Sequence, residues 1–150
     1  MQIDIISPGK FKKNPPYSEI FYYYKKRIKI KVNLIELKLY NFDIKKKILF
    51  EKQDIKKHLK DNNCIVTLDK SGKKISSREF AIFMNQKLSY GEKKISFIIG
   101  SESGLDDSFK KKKNVLSFGN QTWPHLMVRI MLMEQIYRAL EIIKGTLYHK

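Results

Sequence analysis

Five short apolar segments alternate with helical patterns, and this alternation restricts the fold more than any other feature of the sequence. The segments cover residues 3–6, 28–37, 64–68, 95–99 and 115–118. Regular strand–helix alternation is typical of a mostly parallel sheet with helices on both faces. The inner segments are continuously apolar, as expected for strands covered on both sides. The sequence therefore predicts an α/β fold, in a single domain over residues 1–150.

Local signals place the helices between these strands. Asp43 is positioned to cap a basic helix that reaches about Lys60. Ser76 and Glu79 have capping-box spacing ahead of the next helix. Pro124 suits the first turn of a final helix that ends near residue 144.

The charge of the chain is strongly one-sided. Lys plus Arg number 31 and Asp plus Glu number 15, which gives a net charge of +16. An AT-rich coding bias inflates lysine and explains part of this excess. The positive residues are spread along a globular composition, so they form positive faces on a folded body. We infer a polyanionic partner, with RNA or DNA as the obvious candidates.

Other features exclude several classes of protein. No apolar run approaches the roughly 20 residues that cross a bilayer, and the first residues do not have a secretory signal pattern. The single cysteine, Cys64, cannot form an intrachain disulfide. These observations predict a cytoplasmic protein without membrane contact.

Three glycine-containing loops follow the third, fourth and fifth strands. They cover residues 68–72, 100–104 and 118–123. In open parallel sheets, ligands bind outside the carboxyl ends of the strands, so three such loops can form one pocket. Ordinary strand-to-helix turns carry glycine as well, and composition alone leaves both interpretations open.

Common catalytic motifs are absent from these loops. Neither a P-loop nor a G-x-G-x-x-G fingerprint occurs, and residues 100–104 do not match G-x-S-x-G. Cys64, His58, His125 and His149 have no metal-ligand spacing, so we expect no metal site.

The final helix is apolar around nearly its whole circumference from residue 126 to residue 143. One face can pack on the sheet, and a second copy of the chain would cover the other, which predicts a homodimer through this helix. Glu134 and Arg138 are spaced to form an ion pair. Arg138 is therefore either a structural partner at an interface or a substrate contact.

The segments "SFGNQTWPHLMVRIMLMEQIYRALEIIKGTLYHK", "IVTLDKSGK" and "FIIGSESGL" resemble the bacterial 23S rRNA pseudouridine N3-methyltransferases of the SPOUT class. The resemblance extends from Gln2 to Lys150, and its most specific part is the signature T-x-P-H-x-x-x-R, followed by E-Q-x-Y-R-A and a terminal Y-H. It implies an α/β fold with a C-terminal trefoil knot, a homodimer, and S-adenosylmethionine as methyl donor. The implied substrate is a pseudouridine of 23S rRNA in the ribosome, methylated on N3.

The resemblance also implies site residues. The cofactor pocket would be lined by Leu68, Gly100, Phe118, Gly119, Asn120, Gln121, Thr122 and Trp123. His149 is the expected base, with Tyr148 orienting or stacking on the target base and Arg138 stabilising negative charge. The C-terminal tail, residues 145–150, would act on the cofactor site of the partner subunit. Ser101 departs from the family pattern, which commonly has a second glycine at this position.

Two other functions are open. A non-enzymatic, basic RNA-binding or ribosome-binding protein would account for the charge, with the tyrosines near residues 22–24 stacking on bases. A SPOUT methyltransferase that acts on tRNA would share the same fold and cofactor.

Overall fold

The computed structural model describes residues 1–11, 15–59 and 64–150. Strands and helices alternate along the chain, as predicted. In order, they are β1 (Gln2–Pro8), α1 (Pro15–Lys25), β2 (Lys31–Leu37), α2 (Ile44–Lys57), β3 (Cys64–Lys74), α3 (Ser77–Ser89), β4 (Lys94–Ile99), α4 (Asp107–Lys110), β5 (Val115–Ser117) and α5 (His125–Lys144).

The five strands form one parallel sheet in the order β2-β1-β4-β3-β5. The inner strands β1 and β4 are buried along almost their whole length, because helices cover both faces. Phe21 of α1, Phe80 of α3 and Ile136 of α5 belong to one hydrophobic core, and Ile55 of α2 belongs to a second core. The predicted three-layer α/β architecture is confirmed.

Most helix signals act as the sequence predicts. Asp43 caps α2 by accepting a hydrogen bond from the Lys46 amide at 3.1 Å. Ser76 and Glu79 form both hydrogen bonds of the capping box. Helix α2 ends at Lys57, and the predicted end at Lys60 lies outside the described residues.

Strand β2 is shorter than its apolar pattern. It begins at Lys31, whereas the pattern begins at residue 28. The amides of Arg27 and Ile28 donate to the carbonyls of Tyr24 and Lys25, so the chain still finishes the last turn of α1 at this point. Local helix termination therefore takes precedence over the alternating pattern.

Strand β3 is longer than predicted. It was expected to end at Leu68, but it continues to Lys74 because β5 pairs with it twice. Leu116 is opposite Leu68 in the first register and opposite Lys73 in the second. The residues between these registers bulge outward as a loop, which is the glycine-containing loop that the sequence predicts.

Gly72 allows this double pairing. A Cβ atom at Gly72 would lie 2.7 Å from the backbone of Val115 and Leu116, too close for any side chain.

We expect Gly72→Ala to separate β3 from β5 and to lower the free energy of unfolding by about 2 kcal/mol. Urea denaturation measures this loss. Gly91→Ala is the control, because nothing lies within 4 Å of a Cβ there, although its φ of +70° adds some strain. Equal stability of Gly72→Ala and the wild type would contradict the close approach.

Helix α5 packs against α1 and α3 and buries residues on one side, including Leu132, Met133 and Ile136. Its other side is partly covered, and Met127 and Ile143 are 36% and 37% exposed. The helix ends at Gly145, which adopts the left-handed conformation with φ 73°. Among the described helices, none is long and apolar enough to cross a membrane.

The trefoil knot stays a prediction of the resemblance. Strand β5 lies at the sheet edge beside β3, and the chain then returns as α5 to pack on the helical layer of α1 and α3. This order of elements is consistent with a knotted C-terminal region.

Candidate active site

A cavity of about 820 Å³ lies beside the bulge of β3 and the carboxyl ends of β4 and β5. Its volume is within the range of sites for cofactors and other small molecules. All three predicted loops contribute to its walls, together with the first residues of α5. Seven of the eight residues predicted for the cofactor pocket line it: Leu68, Gly100, Phe118, Gly119, Gln121, Thr122 and Trp123. The eighth, Asn120, is exposed and is not among the lining residues.

Glycine is required at Gly100 and Gly119 for different reasons. A Cβ atom at Gly100 would lie 2.9 Å from Leu105 Cγ and 3.1 Å from the backbone of Gly104, so the loop closes tightly on itself. Gly119 has a φ of +108°, which L-residues rarely adopt. The Ser117 hydroxyl donates to the Gly119 carbonyl at 2.9 Å and accepts from its amide at 3.2 Å. The two loops therefore have defined shapes.

The sequence did not predict Glu102 and His125 as site residues, although both line the cavity. His125 is the histidine of the T-x-P-H signature, so the motif contained the signal. Burial, and then the charge of Arg129, lower the pKa of His125. Its imidazole is neutral at pH 7 and is available as a hydrogen-bonding group.

A polar network with buried members on α2 joins this helix to the loop after β4. The Lys47 ammonium group pairs with Glu102, and the Ser101 hydroxyl donates to Glu51 Oε2 at 2.9 Å. Lys47 and Glu51 are 7% and 2% exposed. Ser101 therefore anchors the cavity loop to α2.

Glu51 is unusual within this network because its second oxygen, Oε1, has no hydrogen-bond partner among the described residues. Burial raises the pKa of the Glu51 carboxyl above its ordinary value of 4.5, against the opposing effects of Ser101 and Lys47. Because its pKa is raised, the Glu51 carboxyl binds its proton more tightly in the folded state than in the unfolded state. Its contribution to the stability of the fold is therefore complete below the unfolded pKa and is lost as pH rises through the folded pKa.

We therefore expect Glu51→Gln to raise Tm relative to the wild type at pH 7, by about 3 °C, and to lose this advantage near pH 4.5. Thermal unfolding followed by circular dichroism across this interval measures the difference. Glu19→Gln, at an exposed site, serves as the control. A difference that stays constant with pH would show that Glu51 does not titrate in this way.

Arg129 has a structural role. Its side chain is fully buried and donates to Ser7 Oγ at 3.1 Å, to the Gly9 carbonyl at 3.0 Å and to the Pro8 carbonyl. Burial lowers the pKa of Arg129 to about 10, so the guanidinium remains charged at pH 7. These bonds tie the first turns of α5 to the end of β1, beside the cavity.

The three predicted catalytic residues lie together at the end of α5. Arg138 donates to Glu134 Oε1 at 2.6 and 2.9 Å, and its Nη1 lies 3.2 Å from His149 Nδ1. The Tyr148 hydroxyl donates to the same Glu134 oxygen at 3.1 Å. Arg138 also lies over the Tyr148 ring, 4.8 Å from its centre. We call these four residues the C-terminal cluster.

The hydrogen bonds of this cluster define the state of its members. A guanidinium can only donate, so His149 Nδ1 accepts from Arg138 and the ring proton lies on Nε2. Burial, with hydrogen bonds to Tyr24 and Glu134, raises the pKa of Tyr148, so the phenol stays neutral and does not act as a base.

The C-terminal cluster does not line the cavity of its own chain. Arg138 follows His125 by almost four turns of α5, a distance of about 20 Å along the helix axis. Within one chain, the structure therefore brings the predicted cofactor residues together and the predicted catalytic residues together, but not the two groups.

Comparison with known proteins identifies the family. The family model described as "Predicted SPOUT methyltransferase" matches residues 1–149. The chain belongs to this SPOUT methyltransferase family.

Relatives of full length support this assignment. "Ribosomal RNA large subunit methyltransferase H" from Caldicellulosiruptor saccharolyticus is 39% identical over 155 residues and covers 99% of both chains. A protein of the same name from Clostridium botulinum is 39% identical over 159 residues and covers 100% of both.

A solved structure has a similar fold. It is a probable methylase family protein from Haemophilus influenzae, with a TM-score of 0.60 at 11% identity, over 99% of this chain and 70% of that chain.

The described residues contain no group of three or more His, Cys, Asp or Glu side chains that could hold a metal ion.

Proposed function

We propose that this protein transfers the methyl group of S-adenosylmethionine to N3 of a pseudouridine in 23S rRNA, as a homodimer acting on ribosomes in the cytoplasm. The observation that carries this proposal is the cavity formed by the three loops of the SPOUT methyltransferase sequence pattern. The relatives named as large-subunit rRNA methyltransferases, and the charge of +16, support rRNA as the substrate.

The residues of the cavity fit S-adenosylmethionine. Leu68, Leu116 and Phe118 offer apolar walls for an adenine ring, and Gly100 and Gly119 add no side chain to the cavity wall. When bound, this cofactor supplies an electrophilic methyl group on a sulfonium. The chain itself binds and orients the donor, which provides much of the rate enhancement in a displacement of this kind.

The tail completes the site from the partner subunit in this proposal. Because the C-terminal cluster lies about 20 Å along α5 from its own cavity, a twofold axis beside α5 would place each cluster at the other chain's cavity. The apolar side chains left partly exposed on α5, including Met127 and Ile143, support this helix as the interface.

The proposed reaction requires removal of the N3 proton. With the donor bound, the N3 electron pair would form the new bond to the methyl carbon, and the electrons of the carbon–sulfur bond would remain on sulfur. His149 accepts the N3 proton at Nδ1 once the substrate displaces Arg138 from that nitrogen. Arg138, released from His149, stabilises the negative charge that develops on the uracil ring.

Mass spectrometry of rRNA nucleosides tests this proposal. Ribosomes that lack the modification are incubated with the protein and S-adenosylmethionine, and we expect one N3-methylpseudouridine per 23S rRNA. Methylation of tRNA alone would redirect the proposal to another RNA substrate. Binding to ribosomes without any methyl transfer would favour a non-enzymatic RNA-binding protein.

A further inference from the structure

Three aromatic rings form a cluster on the surface between β2 and α2. Tyr40, Phe42 and Phe50 contact one another with ring centres 5.2 to 5.4 Å apart. They belong to neither of the two hydrophobic cores that the described residues form. Phe42 is 41% exposed. We call these three residues the aromatic patch.

Two ammonium groups lie over the rings of the aromatic patch, and one carboxylate borders it, because the Tyr40 hydroxyl donates to Asp54 Oδ2 at 2.5 Å. The Lys38 ammonium lies 5.4 Å from the centre of the Tyr40 ring, and the Lys46 ammonium lies 4.5 Å from that of Phe42. Within the described part of the chain, neither lysine forms an ion pair with an acidic side chain. An exposed aromatic side chain beside ammonium groups that have no acidic partner is the combination that single-stranded nucleic acid binds, through base stacking and phosphate contacts.

Helix α2 places the aromatic patch beside the cavity. Lys46 and Phe50 share one face of α2, and Lys47 and Glu51 share the adjacent face, about 100° around the axis. The second face bonds to Glu102 and Ser101 of the cavity wall. Phe50 of the aromatic patch is therefore adjacent in α2 to Glu51, which bonds to the cavity loop.

Leu39 provides a second link between the two regions. A Cβ atom added to Gly9 would lie 3.5 Å from Leu39 Cδ1 and 3.4 Å from His125 Nε2, so Gly9 lies between these two side chains. Leu39 precedes Tyr40 in the chain, and His125 lines the cavity. The segment between β2 and α2 therefore approaches the cavity mouth across Gly9.

We propose that the aromatic patch, with Lys38 and Lys46, binds an unpaired stretch of the RNA substrate by stacking on its bases, next to the nucleotide held at the cavity. The occupant is RNA because the rings are flanked by ammonium groups, whereas an apolar protein segment would not match this charge. This assignment rests on the proposed function for its substrate, but the binding of single-stranded RNA can be measured without any methyl transfer.

Fluorescence anisotropy provides the direct test. The probe is a labelled single-stranded oligouridine of about 12 nucleotides, compared with an abasic sugar–phosphate chain of the same length. We expect Phe42→Ala to weaken binding of the oligouridine about tenfold and to leave binding of the abasic chain unchanged. Lys46→Gln weakens binding of both probes and reduces the salt slope by about one unit.

Tyr90→Ala is the matched control. Tyr90 is 80% exposed but follows α3, at the amino-terminal edge of the sheet, so its loss leaves both affinities unchanged. Equal affinity of Phe42→Ala and the wild type for the oligouridine would overturn the proposal. Loss of dimers in sedimentation of Phe42→Ala, with normal RNA binding, would show that the patch contacts protein and would also overturn it.

A kinetic experiment separates this proposal from the proposed function. On ribosomes, Phe42→Ala raises KM about tenfold and leaves kcat and the affinity for S-adenosylmethionine unchanged. If the wild type methylates no RNA, the proposed function fails, and the anisotropy result still decides whether the patch binds RNA.

Discussion

Mixing a tail-defective chain with a cavity-defective chain restores methylation that neither variant supports alone. His149→Ala removes the proposed base, and we expect its methylation rate to fall at least about a hundredfold with cofactor binding retained. Gly100→Val places side-chain atoms against Leu105 Cγ and the Gly104 backbone, so it distorts the cavity wall. Each variant alone is therefore expected to be inactive, for a different reason.

A mixed dimer has one intact site only if the tail acts across the interface. The cavity of the His149→Ala chain then receives the intact tail of the Gly100→Val chain. With random exchange of subunits, about half of the dimers are mixed, and each mixed dimer has one intact site of two. Activity therefore returns to about one quarter of the wild-type value. Mixing His149→Ala with Tyr148→Ala, both tail variants, is the control and restores much less. No recovery in a mixture shown to exchange subunits would mean that tail and cavity act within the same chain.

Replacing Arg129 by methionine lowers the free energy of unfolding by about 3 to 5 kcal/mol. The substitution keeps most of the side-chain volume but leaves the carbonyls of Pro8 and Gly9 without their donor in a buried site. It also removes the positive partner of Glu36, whose carboxylate lies 3.5 Å from Arg129 Nη1. Urea denaturation of the two proteins measures the loss.

Arg78→Met is the matched control for this prediction. Arg78 is an exposed arginine on α3, so its replacement changes stability by less than about 0.5 kcal/mol. If Arg129→Met were as stable as Arg78→Met, the buried hydrogen bonds of Arg129 would not hold α5 to β1.

Local sequence signals predicted the elements that depend on local interactions. The Asp43 cap and the Ser76–Glu79 capping box involve residues three positions apart, and both form. The apolar segments predicted five strands, because a strand that is covered on both faces consists mostly of apolar residues. The strand-end rule also predicted which loops would meet, since carboxyl ends of parallel strands lie at one edge of the sheet.

Other features depend on pairing between distant parts of the chain. Strand β3 extends to Lys74 only because Leu116 pairs with it twice, which no local pattern reveals. The hydrogen bond between Ser101 and Glu51 joins residues fifty positions apart. The resemblance supplied the catalytic candidates, but only the structure shows that Arg138, Tyr148 and His149 lie together and away from their own cavity.

Titration calorimetry with S-adenosylmethionine tests the central claim most directly, namely that the bulge of β3 and the loops after β4 and β5 form the site of the methyl donor. We expect one binding site per chain in the wild type, and severely weakened binding in Gly100→Val at unchanged far-ultraviolet circular dichroism. The absence of any binding heat across several temperatures, or binding that is equally strong in folded Gly100→Val, would contradict the account.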